Sequence, residues 1–260
     1  MLPRAPIGVG AVVEDEEQEG RGRCAELDQT WARTPLGCAA RAALLRGLFH
    51  RVLLAWYTER RVEGTDRVRA VDGPAVFVAN HQSHIDTPII LNALPGARRR
   101  RTVVAAAADY FYRDRRKAAV VSLTFGTVPV LREGGGSDEL DHVHALLDRG
   151  WSILVYPEGT RAKDKSEGRL RTGAAVLAAQ HGVPLVPIHL TGTDGAMPRG
   201  QAWPKRKLWQ RRHPVRVAFG APVRPAAPEA RRDAIDEVRR FFAAQERELA
   251  DAREREPARA

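Results

Sequence analysis

The sequence predicts an α/β fold with a largely parallel central sheet and flanking helices, preceded by an amphipathic N-terminal helical segment. Six short apolar runs are separated by stretches of helical periodicity, which is typical of alternating strands and helices and favours parallel pairing. Upstream of the first run, apolar residues recur at helical spacing with arginines between them. The 260 residues suffice for one core of ordinary domain size.

The first predicted unit, residues 1–37, is a mobile leader. It combines glycine and proline with an acidic run at residues 14–17. The short apolar run before these acids contains two prolines, so we expect no secretion signal. Cys24 and Cys38 have neither metal-ligand spacing nor a partner cluster, which favours a reducing compartment without a disulfide framework or zinc module.

The second predicted unit, residues 38–64, is an amphipathic basic helical segment, with helical periodicity from about Pro35 to Arg61. Its apolar residues are Leu44, Leu45, Leu48, Val52, Leu53, Trp56 and Tyr57, and its arginines are Arg41, Arg46, Arg51, Arg60 and Arg61. Two interpretations are open: the helix packs on the main domain, or its apolar face rests on an anionic bilayer surface.

The third predicted unit, residues 65–227, is the α/β domain. Its predicted strands are Ala75–Ala79, Thr102–Ala106, Thr127–Leu131, Ser152–Tyr156, Leu185–His189 and Val215–Phe219. Between the third and fourth strands, Ser137 can cap a helix that Gly150 can end. The fourth unit, residues 228–260, is a charged C-terminal helix with an apolar stripe. Charge-free stretches are interrupted by glycine and proline, so no membrane span is predicted.

The chain carries a formal net charge of +10, and 37 of its 42 basic residues are arginine. Arginine binds phosphate and carboxylate groups with two parallel hydrogen bonds. The composition therefore predicts an anionic partner, and nucleic acid, phospholipid and phosphorylated metabolites all satisfy it.

A polar cluster, Asn80-His81-Gln82-Ser83-His84-Ile85-Asp86, directly follows the first predicted strand. In an open α/β sheet, ligands collect beyond the carboxyl ends of strands. His81 and Asp86 would not share a face of one regular helix, so a turn must separate them if they are to meet. The carboxylate could then accept one imidazole N–H and leave the other ring nitrogen as a general base.

Two other interpretations of this cluster are open. Histidine and aspartate in a polar loop are often capping or surface residues. His84 could also join His81 and Asp86 in a metal site, but such short spacing is weak support for a facial triad. We therefore predict no metal site.

A second cluster, Tyr156-Pro157-Glu158-Gly159-Thr160-Arg161, follows the fourth predicted strand. Proline and glycine favour a tight turn there, and Arg161 can bind an oxyanion with two N–H groups. A solvated turn with a local Glu158–Arg161 ion pair is the alternative. Arg132 and Arg171 lie near the ends of neighbouring elements, so three arginines could converge on a phosphate near His81.

These residues carry a resemblance to the glycerolipid acyltransferase family, which includes the 1-acyl-glycerol-3-phosphate acyltransferases. Four blocks over roughly residues 70–225 match in order. The first block, Asn80 to Asp86, contains the family's pattern of a histidine and an aspartate separated by four residues. The other three are Gly126-Thr127-Val128-Pro129-Val130-Leu131-Arg132, Pro157 to Arg161, and Val183-Pro184-Leu185-Val186-Pro187. The first and third blocks together are highly specific.

The resemblance implies a role for each matching residue. The family's catalytic pair corresponds to His81 and Asp86. Its acceptor-binding residues correspond to Gly126, Arg132, Glu158, Gly159, Thr160 and Arg161, with Arg171 where lysine is frequent. Tyr156 stands where the family often has phenylalanine, and Ala162 where serine is common; such departures could alter the choice of acceptor.

The activity implied is transfer of an acyl group from a thioester to a lysophospholipid hydroxyl, most simply 1-acyl-glycerol-3-phosphate, giving phosphatidic acid in phospholipid biosynthesis. No cofactor is implied, and acyl-CoA or acyl carrier protein is the co-substrate. The absence of a Gly-x-Ser-x-Gly sequence favours direct transfer without an acyl-enzyme. Family members are commonly held at membranes, so we expect peripheral attachment to an anionic membrane surface on its cytoplasmic face.

Two alternatives stay open. The acceptor could be another lysophospholipid, a neutral glycerolipid or an acylated amino-acid lipid. The chain could instead be a basic nucleic-acid-binding module, because it contains basic runs at residues 98–101, 113–117 and 205–212. Trp203 lies just before the last run, and Trp209 lies within it. That alternative leaves the clusters at His81 and Glu158 unexplained, so no nucleic-acid partner is expected.

Overall fold

A sheet organises the part of the chain that the structure, a computed structural model, describes: residues 23–131, 137–157, 170–198, 201 and 209–255. Its strands are β1 Thr58–Glu63, β2 Val76–Ala79, β3 Thr102–Ala107, β4 Thr127–Val130, β5 Ser152–Val155, β6 Leu185–Thr191 and β7 His213–Phe219. They lie in the order β1-β7-β6-β2-β5-β3-β4. All neighbours are parallel except β6 and β7, which are antiparallel. The predicted fold class is confirmed.

Helices cover both faces of the sheet. They are α1 Arg23–Leu27, α2 Pro35–Leu44, α3 Ala55–Tyr57, α4 Thr65–Arg69, α5 Asp86–Ala93, α6 Gly96–Arg100, α7 Ala108–Phe111, α8 Arg115–Phe125, α9 Asp141–Asp148, α10 Gly173–Gln180, α11 Thr193–Ala196 and α12 Arg231–Arg255. Leu45–Leu54 has π-helical geometry and joins α2 to α3. Within the described ranges, no helix combines the length and the apolarity that crossing a bilayer would need.

The six predicted strands are present, with ends shifted by at most two residues, but a seventh strand was missed. The helix predicted to reach Arg61 ends at Tyr57, and β1 follows it at the edge of the sheet. The sequence of β1, Thr-Glu-Arg-Arg-Val-Glu, is too charged to show an apolar run. β1 pairs with β7, and His213 lies 155 residues after its partner Thr58. No local sequence pattern reveals such a non-local contact.

The helical segment that runs from α2 through Leu45–Leu54 to α3 packs against one face of the sheet. Leu45 and Leu54 belong to the same buried cluster as Phe77 and Phe219. Burial of such side chains is the main favourable term in folding, so this packing, the first of the two interpretations above, is what the structure shows for both leucines.

The opposite face of the sheet carries the C-terminal helix. Ala234, Ile235 and Val238 of α12 pack against α10, which lies on the same face, while most of the remaining α12 surface is exposed. The predicted stripe therefore docks only in part, as its charged composition indicated. The charged helix predicted for residues 228–260 is present over residues 228–255, and residues 256–260 lie outside the described range.

The predicted boundary of the leader at residue 37 needs correction. Residues 1–22 lie outside the described range, but α1 and α2 begin within the predicted leader, and Cys24 and Ala32 are buried. Helix α1 packs on β4, the edge strand opposite β1. These residues belong to the core because they cover an apolar strand edge. Both cysteines, Cys24 and Cys38, are free thiols.

The reversal between β6 and β7 decides which chain segments share an edge of the sheet. The carboxyl ends of β2 and β6 lie together, because Ala79 pairs with Ile188. Since β7 runs the other way and β1 runs with β7, the amino ends of β7 and β1 lie at that same edge. We call this side of the sheet, where β2 and β6 end and β7 and β1 begin, the His81 edge, as distinct from the outermost strands β1 and β4.

Candidate active site

Asn80 marks the point where the chain leaves the sheet at the end of β2. Its side-chain Nδ2 donates to the carbonyl of Leu190 at 2.9 Å, and its Oδ1 accepts from the amide of Leu190 at 2.7 Å. The amide group thus continues the pairing with β6 for one further step after the backbone has turned away. This double contact fixes the start of the loop that carries His81.

His81 and Asp86 meet across the turn that the sequence required. His81 Nδ1 lies 2.8 Å from Asp86 Oδ2. The same carboxylate oxygen accepts backbone N–H groups from Gln82 at 2.7 Å and Ser83 at 2.8 Å. The carboxylate is fully buried, whereas the imidazole is 20% exposed. Three donors to one oxygen fix the position of the Asp86 carboxylate, and the exposed part of the imidazole can meet a substrate.

Asp86 is the first residue of α5, where backbone N–H groups have no helical partner and favour negative charge. The loop before it is also anchored by the residue that follows α11: Ser83 Oγ donates to the carbonyl of Met197 at 2.7 Å. Within the described part of the chain, Asp86 Oδ1 has no hydrogen-bond partner. The carboxylate therefore faces the imidazole with its fully bonded oxygen.

Tyr156, at the end of β5, completes the surroundings of His81. The two rings stack with centroids 4.2 Å apart and planes inclined by 26°. The tyrosine hydroxyl lies 2.8 Å from Thr87 Oγ1, on the residue after Asp86. Burial, with a smaller contribution from the nearby charge of Asp86, raises the pKa of this hydroxyl, so it stays protonated. From the sequence, Tyr156 is the end of a predicted strand and the start of a turn, and a departure from the family that could alter the choice of acceptor; its contact with His81 is not predicted.

The structure does not bring Gly126, a residue expected to help bind the acceptor, to His81. Gly126 ends α8 and precedes β4, so it lies at the opposite edge of the sheet from the His81 edge. Its φ of 69° is left-handed, and a Cβ there would lie 2.3 Å from Nη1 of the buried Arg41. Glycine is required here by backbone conformation and close packing rather than by contact with a ligand.

Arg171 is placed near the site by its backbone. Its N–H donates to the carbonyl of Pro157 at 3.1 Å, which closes the base of the loop after β5, and its side chain is exposed. The other residues predicted to bind the acceptor, Arg132, Glu158, Gly159, Thr160 and Arg161, lie outside the described residues. Their roles stay predictions.

The metal interpretation gains no support from the described residues. Among them, no group of three or more histidine, cysteine, aspartate or glutamate side chains is arranged to hold an ion. His84 is exposed while Asp86 is buried, so the two do not present ligands to one point.

Together, these contacts suit proton transfer. With its Nδ1–H donated to Asp86, His81 keeps a lone pair on Nε2, the arrangement of a general base with its orienting acid. The carboxylate also stabilises the imidazolium that forms when Nε2 accepts a proton. A hydroxyl group brought to Nε2 would lose its proton and become a nucleophile.

The chain is similar to known acyltransferases. The sequence family described as Acyltransferase matches residues 59–191. A chloroplastic 1-acyl-sn-glycerol-3-phosphate acyltransferase of Arabidopsis thaliana is 34% identical over 141 residues, which cover 54% of this chain and 38% of the relative. A probable 1-acyl-sn-glycerol-3-phosphate acyltransferase of Mycoplasma pneumoniae is 27% identical over 154 residues, which cover 58% of this chain and 57% of the relative. The matched part thus spans only two-fifths to three-fifths of these relatives.

The fold has a counterpart among solved structures. The crystal structure of the 1-acyl-sn-glycerophosphate acyltransferase of Thermotoga maritima superposes with a TM-score of 0.58 and covers 84% of this chain and 83% of that chain. At 22% sequence identity, this similarity shows a shared fold.

Proposed function

This chain belongs to the acyltransferase family, and we propose that it transfers an acyl group from a thioester to the free hydroxyl of 1-acyl-glycerol-3-phosphate, giving phosphatidic acid. The observation that carries the proposal is the His81–Asp86 pair at the carboxyl end of β2. The acceptor is inferred from relatives named for this activity in two plants and in Mycoplasma pneumoniae.

The proposed reaction is a single displacement. His81 Nε2 takes the proton of the acceptor hydroxyl, and the oxygen attacks the thioester carbonyl. The carbon–sulfur bond then breaks, an ester forms, and the imidazolium returns the proton to the thiolate that leaves. The chain has no Gly-x-Ser-x-Gly sequence, which supports direct transfer without an acyl-enzyme. No cofactor enters this scheme, and acyl-CoA or acyl carrier protein supplies the thioester.

The phosphate of the acceptor is assigned to arginines beside the site. Arg171, whose N–H donates to the carbonyl of Pro157, follows the segment that contains Glu158 and Arg161 and lies two residues before α10. Arginine at such a turn can hold phosphate oxygens through paired N–H groups, and Glu158 can hold the glycerol hydroxyl. Because these arginines favour an acceptor with a negatively charged group, neutral glycerolipid acceptors are disfavoured.

The function is tested by incubating the purified chain with one acyl-CoA and a panel of acceptors, and by identifying products with mass spectrometry. The panel contains 1-acyl-glycerol-3-phosphate, other lysophospholipids, a monoacylglycerol and an acylated amino acid. We expect phosphatidic acid as the main product. Formation of another ester in preference would reassign the acceptor, and a parallel assay with an acylated acyl carrier protein decides between the two donors. Tighter binding to duplex DNA than to anionic vesicles, without acyl transfer, would favour the nucleic-acid alternative.

Replacing Arg161 or Glu158 with alanine should chiefly raise the acceptor KM, because both side chains are assigned ground-state contacts to phosphate and glycerol. For Arg161→Ala we expect a rise of about tenfold to a hundredfold, the effect of losing a charge-assisted contact worth 1.5–3 kcal/mol. Steady-state kinetics with each substrate varied in turn measures this. Arg149→Ala, in an exposed turn after α9, is the control. A rise confined to the donor KM would move the turn to the thioester site.

We also propose that the chain attaches peripherally to an anionic membrane surface, on its cytoplasmic face. Most of the N-terminal helix packs on the sheet, but Leu48 and Trp56 stay about half exposed, and Trp209 is 80% exposed. Arg212 Nη1 donates to the carbonyl of Ala55 at 3.3 Å, so the segment before β7 lies beside α3. Both tryptophans flank the amino ends of β1 and β7, at the His81 edge.

Charge and position support the surface around Trp56 and Trp209 as the membrane contact. Arg211 and Arg212 are exposed beside Trp209, and tryptophan with arginine is the usual composition of a membrane-interface anchor. β7 and β1 are the second and third strands from β2, which puts the surface roughly 10–15 Å from His81 along one edge. An acceptor with an acyl chain resides in the bilayer, so a contact there would deliver it to the base.

Flotation with vesicles of phosphatidylcholine containing about 30% phosphatidylglycerol tests the attachment. The Trp56→Ser and Trp209→Ser double variant should bind at least about tenfold more weakly than the wild type, because two large apolar side chains are lost. Trp31→Ser is the matched control, since Trp31 is similarly exposed but lies on the turn that packs on α2 and α8. Equal flotation of the double variant and the wild type would show that this surface is not the contact.

A further inference from the structure

We propose that Tyr156 is a positioning residue for His81: its ring holds the plane of the imidazole, and its hydroxyl fastens that ring to the helix that carries Asp86. The inference rests on the proposed function, in which His81 is the general base. It assigns Tyr156 a part in proton transfer although the tyrosine does not touch the reacting atoms.

The first step is that the hydrogen bond to Asp86 alone leaves the imidazole underdetermined. It fixes Nδ1, 2.8 Å from Oδ2, but the ring can still tilt about that contact and swing Nε2 away from the acceptor. Stacking removes this freedom, because tilting the imidazole would break its contact with the tyrosine ring, whose centroid is 4.2 Å away. A displacement of about 1 Å at a reacting atom can cost a hundredfold in rate.

The second step is that Tyr156 is itself held. Its hydroxyl lies 2.8 Å from Thr87 Oγ1, and Thr87 follows Asp86 in α5. The four residues therefore form a closed circuit: His81 to Asp86, Asp86 to Thr87 through the chain, Thr87 to Tyr156, and Tyr156 back to His81. The circuit joins the loop after β2, the start of α5 and the end of β5, so no member moves alone.

The third step concerns charge. Burial keeps the phenol neutral by raising its pKa, so an electron-rich neutral ring faces the imidazole. Such a ring face stabilises the imidazolium that forms when His81 accepts a proton, as in other cation–π contacts. Removing the ring should therefore remove this stabilisation of the imidazolium as well as free the orientation of His81.

The circuit also reaches the predicted acceptor site. Tyr156 is followed by Pro157 and then by Glu158, so the residue that stacks on the base begins the turn assigned to the acceptor. Its ring, which a phenylalanine would also supply, is separable from its hydroxyl. This chain's hydroxyl and Thr87 add the fastening contact.

Four variants separate ring from hydroxyl: Tyr156→Leu removes both, Tyr156→Phe removes the hydroxyl, Thr87→Val removes its partner, and Thr87→Ser restores it. For Tyr156→Leu we expect kcat to fall about tenfold to a hundredfold, with a smaller change in acceptor KM. The acid limb of the pH–kcat/KM profile should move to lower pH. Tyr156→Phe and Thr87→Val should lose no more than about threefold, and Thr87→Ser should restore the rate.

A second measurement does not depend on activity. In protein labelled at histidine, the His81 resonances should titrate at lower pH in Tyr156→Leu than in the wild type, without substrate present. Tyr112→Leu is the control for loss of a buried tyrosine elsewhere, because its hydroxyl bonds Ser122 and Thr127 near β4. It should lower Tm without moving the His81 titration.

The outcomes are distinguishable. Absence of acyl transfer by the wild type to any acceptor would overturn the proposed function, while the titration would still decide whether Tyr156 positions His81. An unchanged titration and kcat in folded Tyr156→Leu would overturn the positioning role. So would a rise in acceptor KM alone, which would make Tyr156 simply part of the acceptor turn, or a loss in Tyr156→Phe as large as in Tyr156→Leu.

Discussion

His81→Ala is expected to lower kcat by about 10² to 10⁴, the usual effect of removing a general base, and to leave acceptor binding nearly unchanged. The imidazole is the group that both contacts buried Asp86 and is partly open to solvent, with 20% of its surface exposed. Alanine leaves no group at that position to take the proton of the acceptor hydroxyl. The fold should survive, because the loop is held independently by Asn80 and Ser83.

The measurement is kcat with a saturating thioester, together with a binding titration for the acceptor. His84→Ala is the matched control, because His84 lies three residues further along the same loop and is exposed. We expect the control to keep most of its turnover. Near-wild-type turnover in a folded His81→Ala protein would refute the assignment of His81 as the base.

Asp86→Asn is expected to reduce kcat by a similar factor for a different reason. The side-chain amide can still accept from the amides of Gln82 and Ser83 through its oxygen, so the turn can form. The negative charge that stabilises the imidazolium is lost, however, because the oxygen that replaces Oδ2 and accepts from His81 Nδ1–H belongs to a neutral amide. Transfer of a proton to Nε2 therefore becomes less favourable, although the neutral imidazole keeps its lone pair there.

Comparison with Asp86→Ala separates catalysis from folding. Alanine would leave the N–H groups of partly buried Gln82 and buried Ser83 without this acceptor, at a cost of about 2–4 kcal/mol in the free energy of unfolding. Asparagine should cost less, so denaturant unfolding of the two variants should differ while both lose activity. Full activity in Asp86→Asn would show that the charge of Asp86 is not needed for proton transfer.

The fold was predictable where local patterns carry it. Apolar runs identified the six strands from β2 to β7, because these strands are buried by helices on both faces. β1 was not predictable, because its residues carry charges suited to a sheet edge and its partner lies far along the chain. The same property explains why the helix before it was extended too far.

The site was predictable only in part. The spacing of His81 and Asp86, with the turn that their meeting requires, indicated the contact that the structure contains. The stacking of Tyr156 was not indicated, because it depends on β5 lying beside β2. Gly126 shows the converse. Its block resembles a family motif, yet the motif begins before the amino end of β4, so Gly126 lies at the edge of the sheet away from His81.

The pairing of β1 with β7 has a consequence for the chain during synthesis. A ribosome adds roughly 5–20 residues per second, and the partner of each β1 residue lies 155 positions later in the chain. β1 would therefore be made about 8–30 s before β7. Throughout that interval β1 presents an unpaired strand in which Glu59, Arg60 and Arg61 are consecutive charges. Such charges discourage pairing with other nascent chains. The composition that hid this strand from sequence patterns is the one that would protect it until β7 is made.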